Sequence, residues 1–277
     1  MEVLEGIKGS RYADELNLPL QRVILGELPY MDYDETLDWY HDTLKRLVED
    51  HPEEDCRRAE ALLGCNDRYF LLTHLLHRVD LLHPWLFDRC REVEADPDGH
   101  IDLWARYHAK TSIISTGGVI QEIMRDPNIT VAIFSATKAL AQEILGQIKN
   151  EFENNEHLKD VYPDVLYENP RGIDPRTDER PAKWSLARGI TVKRTQRPKE
   201  ATIEAHGLLD GQPTGRHFHM HVYDDVVDQD HLAEEQIKKT TARFEMADNL
   251  GTRHGVRKQI VGTRYHHGDT QCVSFGS

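Results

Sequence analysis

Apolar residues at Leu37, Tyr40, Leu44, Leu47 and Val48 recur three and four positions apart, which lays one apolar stripe along a helix. Asp32 or Asp34, just upstream, is placed to cap it. A denser run, Tyr69, Phe70, Leu71, Leu72, Leu75, Leu76 and Val79, predicts a second, more buried helix over about 67–82. Residues 1–100 thus read as helical and close on a turn at Asp96-Pro97-Asp98-Gly99. From His100 the pattern changes. Ile101–Trp104 reads as a strand, Ser112–Met124 as a helix, Asp126-Pro127-Asn128 as a turn and the β-branched run Ile129–Phe134 as a buried strand. Leu140, Ile144, Leu145, Ile148 and Phe152 share one face of a helix over Lys138–Asn154. A proline-bearing loop over 163–183, expected to be long and exposed, leads to short strands at Ile190–Lys193, Thr202–Ala205, His217–Tyr223 and Gln259–Gly262. Helical character returns at about 231–250. Strands alternating with helices predict βαβ units and a parallel sheet.

At 277 residues the chain has room for one large domain or two small ones. No apolar stretch nears the ~18 residues of a membrane-spanning helix, and aromatic and aliphatic residues recur too often for wholesale disorder. Cys56, Cys65, Cys90 and Cys272 form no CxxC pair, which points to a reducing compartment rather than a zinc ribbon or disulfide scaffold. Met1-Glu2-Val3-Leu4-Glu5 has neither the basic nor the apolar region of a secretory signal, so a cytosolic location is expected. The net charge of -14 counts against a broad nucleic-acid surface. That charge is uneven. Residues 1–100 hold 11 Lys+Arg against 23 Asp+Glu, whereas residues 101–277 hold 23 against 25. Within 171–200, 9 basic residues outnumber 4 acidic ones, and Lys193, Arg194, Arg197 and Lys199 are candidate DNA contacts, with a solvated loop as the other reading.

Three segments carry candidate chemistry. Trp104-Ala105-Arg106-Tyr107-His108-Ala109-Lys110-Thr111 stands between a strand and a helix. A phosphate loop needs converging N–H groups at a helix start, a lysine for the β/γ-phosphates and a hydroxyl for Mg²⁺. Lys110 and Thr111 suit the last two roles, but the G-x-x-x-x-G-K-[ST] pattern puts glycines at Trp104 and Ala109, and neither is glycine. The residues alone equally describe a Lys-Thr pair opening an ordinary helix. His217–Tyr223 followed by Asp224 and Asp225 is an apolar-leaning strand ending in two acids, the form of a Walker B segment or of a strand running into an acidic turn. Ile260-Val261-Gly262-Thr263-Arg264 is a strand with a polar tip. Loop-helix, acidic tip and polar tip follow the order of an additional-strand P-loop ATPase.

His217, His219 and His221 support a rival reading, a metal-dependent hydrolase. On one strand face such residues stand ~7 Å apart, too far to share one ion at ~2.0–2.1 Å without a bulge, and histidines packed beneath helices fit the same pattern.

As a set, these residues resemble the ATPase part of tailed-phage terminase large subunits over roughly 60–270. Asp102–Thr111 resembles their deviant Walker A, Tyr223-Asp224-Asp225-Val226-Val227 their Walker B and Gly262-Thr263-Arg264-Tyr265-His266 their coupling motif. The resemblance implies an additional-strand, RecA-like P-loop NTPase: a mostly parallel sheet flanked by helices over 61–277, after a helical segment over 1–60. It implies ATP and Mg²⁺ as cofactors. Nucleotide would be bound by Arg106, Tyr107, His108, Ala109, Lys110, Thr111 and Ser112, and Mg²⁺ by Thr111 and Asp224. Asp225 would be the catalytic acid, in the place where many relatives carry Glu, assisted by Lys110 and Arg106. Arg216 is the candidate trans-acting arginine finger, and Gly262, Thr263 and Arg264 would couple nucleotide state to movement. The implied partners are double-stranded DNA, a portal protein, a small terminase subunit and other copies in a ring on the procapsid, in the cytoplasm of an infected bacterium. The family's nuclease domain needs another ~100–200 residues, so nuclease activity is not expected. Beside the metal-dependent hydrolase, a helicase-like ATPase and a nucleotide-binding assembly module with a degenerate site remain as alternatives.

Overall fold

A computed structural model describes residues 31–210, 213, 215–226, 234–253 and 255–263. Helix α1 (Tyr33–Asp50) starts in a capping box: Asp32 accepts from the Glu35 N–H at 2.9 Å, and the Asp32 N–H donates to the Glu35 carboxylate at 3.2 Å. Of its predicted stripe, Tyr40 and Leu47 are buried, Leu37 and Leu44 pack partly, and Val48 faces solvent. Helix α2 (Glu53–Asn66) follows. The single helix expected over 67–82 is broken. It comprises α3 (Arg68–Phe70), a wider π turn over Leu71–Leu75, and a 3₁₀ turn over Val79–Leu81. The Leu76 N–H reaches the Leu71 carbonyl and the Arg78 N–H that of Leu72, so the bonding slips from four residues to five and six. The chain then reverses through His77, at φ 52. Pro84 and the ring of His83, which accepts from the Trp85 N–H at 3.1 Å, open α4 (Pro84–Ala95).

The α/β part begins with β1 (His100–Leu103), followed by a helix that is π-wound over Thr111–Gly118 and α-helical over α5 (Val119–Arg125). Then come β2 (Val131–Ser135), α6 (Lys138–Asn154), α7 (Glu156–Val161), β3 (Trp184–Ser185), β4 (Gly189–Ile190), β5 (Ile203–Gly207), β6 (Met220–Asp224), α8 (Glu234–Ala247) and β7 (Arg257–Gly262). The strand expected over 190–193 is cut to two residues, because the Thr191 and Lys193 N–H groups bond to the loop carbonyls of Lys183 and Val165. The loop over 163–183 is exposed along most of its length, as expected, but is pinned to the core at a few points. Val165, Leu166 and Tyr167 are buried, and the buried Asp174 carboxylate accepts from the N–H groups of Glu168, Arg176 and Thr177.

The seven strands run in the order β1-β7-β6-β2-β5-β4-β3. Pairs from β1 to β5 are parallel, and β4 and β3 close the sheet antiparallel. Strand alternation divides the core. Val131 and Ile133 of β2 join the larger apolar cluster beneath α1–α7, whereas Ala132 and Phe134 face Tyr223, Ile260 and the Phe244 side chain of α8. The protein is thus an α/β structure with a mostly parallel sheet flanked by helices. The larger cluster runs from Tyr40 to Val261, and α2 spans residue 60, where a helical segment was expected to end. No helix among the described residues is long and apolar enough to cross a membrane.

Candidate functional site

Parallel strands bring their carboxyl ends to one edge of the sheet, where loops can converge. At that edge β1 feeds the 104–110 loop, β6 ends in Asp224 and β7 ends beside Thr263. Because β7 lies between β1 and β6, three segments distant in sequence become neighbours. The Lys110 ammonium donates to Thr263 Oγ1 at 3.0 Å and lies 3.7 Å from Asp225 Oδ2. Thr111 Oγ1 donates to Asp224 Oδ1 at 3.2 Å, and Ser115 donates to Asp224 Oδ2.

The loop is anchored by aromatic side chains rather than loosened by glycine. Trp104, at the first glycine position of the phosphate-loop pattern, packs edge-on against Trp85 of α4 with ring centroids 5.6 Å apart. The His108 ring meets the same Trp85 at 5.1 Å, and its Nδ1 lies 2.8 Å from the Arg106 carbonyl. Tyr107 and Ala109 sit at φ 66 and φ 56, in the left-handed region that favours glycine. The loop thus holds a glycine-type turn at the second glycine position with an alanine, and such backbone strain concentrates at functional sites. Arg106 and Tyr107 are exposed, and Ser112 accepts from Arg78 at 3.3 Å.

The two acids differ sharply. Asp224 is buried, and burial first and the charge of Asp225 second push its carboxyl up to about 6, against the hydrogen bonds of Ser115 and Thr111 and the charge of Lys110. Asp225 follows the strand at φ 43, with its N–H donated to the Val261 carbonyl at 2.9 Å. Its Oδ1 is buried without a hydrogen-bond partner among the described residues. A hydroxyl and a carboxylate 3.2 Å apart, Thr111 and Asp224, form the hard-oxygen donor set that suits Mg²⁺.

Gly262 closes β7, and Arg264, with the third motif from there on, lies outside the described residues. Arg216 lies before β6, at the opposite edge, in an ion pair with Glu204 at 2.6 Å. The histidine trio is dispersed, which removes the geometric basis of a metal centre there. Only His221 lies within β6, packed against Phe134 and Phe218. His219 Nδ1 accepts from the Thr130 N–H at 3.1 Å, and His217 Nδ1 lies 3.0 Å from the Gly251 carbonyl.

The basic stretch also lies at the amino edge, where it lines a cleft of about 1080 Å³. Lys193 turns inward to Asp174 at 3.5 Å and to the Pro163 carbonyl at 3.0 Å, and Arg194 donates to the carbonyls of Pro198 and Glu200. Arg197 and Lys199 are exposed, and Lys199 donates to the Gly215 carbonyl. Ser115 and Trp85 are site residues that sequence reasoning missed. Ser115 had a signal: it follows Thr111 by four positions on a helix and so shares its face. No protein-family model matches the chain, and no curated protein matches it.

Proposed function

We propose that the protein is an ATPase of the additional-strand, RecA-like P-loop class and serves as the ATPase part of a terminase large subunit, driving double-stranded DNA into a procapsid. The observation that carries this reading is the meeting of Lys110 and Thr111 with Asp224, Asp225 and Thr263 at one sheet edge. The strand order supports it too, since β7 separates the loop-bearing β1 from the acid-bearing β6.

In this reading Lys110 leaves Asp225 and Thr263 to meet the β/γ-phosphates of ATP. Thr111 and Asp224 would hold Mg²⁺, which when bound offsets phosphate charge. Asp225 Oδ1, an acceptor without a partner among the described residues, orients the attacking water and takes its proton. Arg106 reaches the phosphates from the loop. Thr263 exchanges its bond to Lys110 for the nucleotide state, which links the site to β7. The ring, portal, small-subunit and host-cytoplasm assignments rest on the motif resemblance alone. DNA would meet the cleft at the amino edge, where Arg197 is exposed.

The test is ATP turnover, with and without DNA, for Lys110→Ala and Asp225→Asn. Removing one preorganised group costs about 10²–10³ in rate, so each variant is expected to lose at least that much. Wild-type turnover in both would sink the mechanism. A chain that binds ATP without hydrolysing it, even with DNA and partners present, would favour the assembly-module reading.

A further inference from the structure

Apart from the Lys110–Asp224 site, three side chains from three elements converge: Glu60 of α2, His74 of the π turn and His157 of α7. Glu60 Oε2 lies 2.8 Å from His157 Nε2, Glu60 Oε1 lies 3.5 Å from His74 Nε2, and all the donor atoms fall within 4.8 Å of one another. We propose that Glu60, His74 and His157 form a binding site for one zinc-class transition-metal ion, separate from the Lys110–Asp224 centre.

The chemistry of the donors selects the ion. Two imidazoles and one carboxylate suit zinc and its neighbours, whereas Mg²⁺ takes oxygen donors. The spacing suits it as well: ligands at ~2.0–2.1 Å around a tetrahedral ion stand about 3.3 Å apart, between the two contacts observed here. His74 Nε2 is buried and makes no hydrogen bond despite its approach to Glu60, so it is a donor atom turned into the cluster without a satisfied partner. His74 is carried by a π turn that follows directly on α3, a winding that is frequent at functional sites. His77, at φ 52 just beyond, stacks on the His157 ring with centroids 5.4 Å apart and fixes its plane. The cluster is half-buried, with side-chain exposures of 17% for Glu60, 33% for His74 and 30% for His157, so an ion can enter from water.

Without metal the same groups form a charged pair. Burial pushes the Glu60 carboxyl up, but the bond to His157 and the approach of His74 outweigh burial and hold it at about 2, and the bond to Glu60 raises His157. Metal binding at His157 then competes with its proton, as at any imidazole ligand. A bound ion would fasten α2, the π turn and α7 together. The Arg57–Asp160 ion pair at 3.0 Å already links α2 to α7, so loss of one ligand should leave the fold intact.

The metal-free full-length chain is titrated with Zn²⁺ alone by calorimetry and with Co²⁺ alone by visible absorption. The expected result is saturation at one equivalent, with cobalt bands of a four- or five-coordinate ion. Glu60→Gln and His157→Ala should each weaken zinc binding by more than the ~10–100-fold that loss of an outer-shell partner costs. His219→Ala and Lys110→Ala should leave it unchanged, which keeps this outcome independent of the ATPase reading. No saturable uptake by the native chain, or equal uptake by Glu60→Gln and His157→Ala, overturns the proposal. If a variant fails to fold, imidazole nitrogen NMR of the native chain decides. Zn²⁺ must shift His74 and His157; a shift confined to other histidines overturns the site.

Discussion

Two buried ionic clusters stand in this molecule, and they differ in how completely their atoms are satisfied. Around Asp67, every oxygen is engaged. Arg91 donates to both carboxylate oxygens, at 2.8 and 2.9 Å, Tyr40 donates to one and the Phe70 N–H to the other. Glu94 completes the group by accepting from the Arg68 N–H at 2.7 Å and from Gln121 at 2.9 Å. Around Lys110 the accounts are open. The ammonium has one hydroxyl partner and a carboxylate at 3.7 Å, Asp225 has an oxygen without a partner among the described residues, and burial pushes the Asp224 carboxyl up to about 6. Full satisfaction fixes a geometry and leaves nothing for a ligand. Partial satisfaction leaves donors and acceptors aimed at a common space, which is what a binding site requires.

Breaking the closed cluster should give the largest effect on stability. Asp67→Ala strands a buried Arg91, which costs ~3–5 kcal/mol, measured by urea unfolding. A loss below about 1 kcal/mol would show that the two clusters are not different in kind. Lys110→Ala should do the reverse. It removes one hydrogen bond, so unfolding should shift by only ~0.5–1.5 kcal/mol while ATP turnover falls steeply.

Asp224 sharpens the contrast through pH. Its folded value of about 6 lies above the usual carboxylate value of about 3.9, so the neutral form favours the folded state. That contribution is fully present below about pH 4 and is lost as pH rises through about 6. Ionised at neutral pH, Asp224 therefore costs on the order of 2–3 kcal/mol. Asp224→Asn, whose amide can still bond Thr111 and Ser115, should be more stable than the native chain by about that much above pH 7. The difference should vanish toward pH 4, and a difference independent of pH would remove the strained acid from the argument. The smallest effect is expected at the loop. Ala109→Gly relieves the left-handed backbone and should stabilise by up to about 1 kcal/mol in thermal unfolding.

Much of the frame was legible because it rests on local periodicity. The β-branched run at 129–134 and the 3.6-residue stripe over 138–154 became β2 and α6, since each carries its own burial pattern. The helix over 67–82 was misread because its apolar residues fill every face, so periodicity gives no warning of the π turn, and His77 reverses the chain without glycine or proline. The alternating histidines misled for a related reason: the strand starts only at Met220, so His217 and His219 are not on it. Charge counting located the basic stretch but not its orientation, and Lys193 and Arg194 turn inward to loop carbonyls and Asp174. Lys110, Thr111, Asp224 and Asp225 were legible as motifs. Their meeting was not, because it depends on which strand lies between β1 and β6. Glu60, His74 and His157 left no sequence signal, being brought together only by tertiary packing.

The position of β7 also sets an order on the making of the molecule. His100–Leu103 hydrogen-bonds to Gln259–Gly262, and β1 has no other neighbour in the sheet among the described residues. While the chain is being synthesised, the segment carrying Lys110 therefore has no strand to dock on until the residues of β7 emerge. Until then β6 also exposes an unpaired edge through Val222 and Tyr223, the kind of surface that mispairs or recruits a chaperone. A nascent chain thus holds its lysine and its acids as separate parts, and they are brought together only when this last strand slides between the first and the sixth.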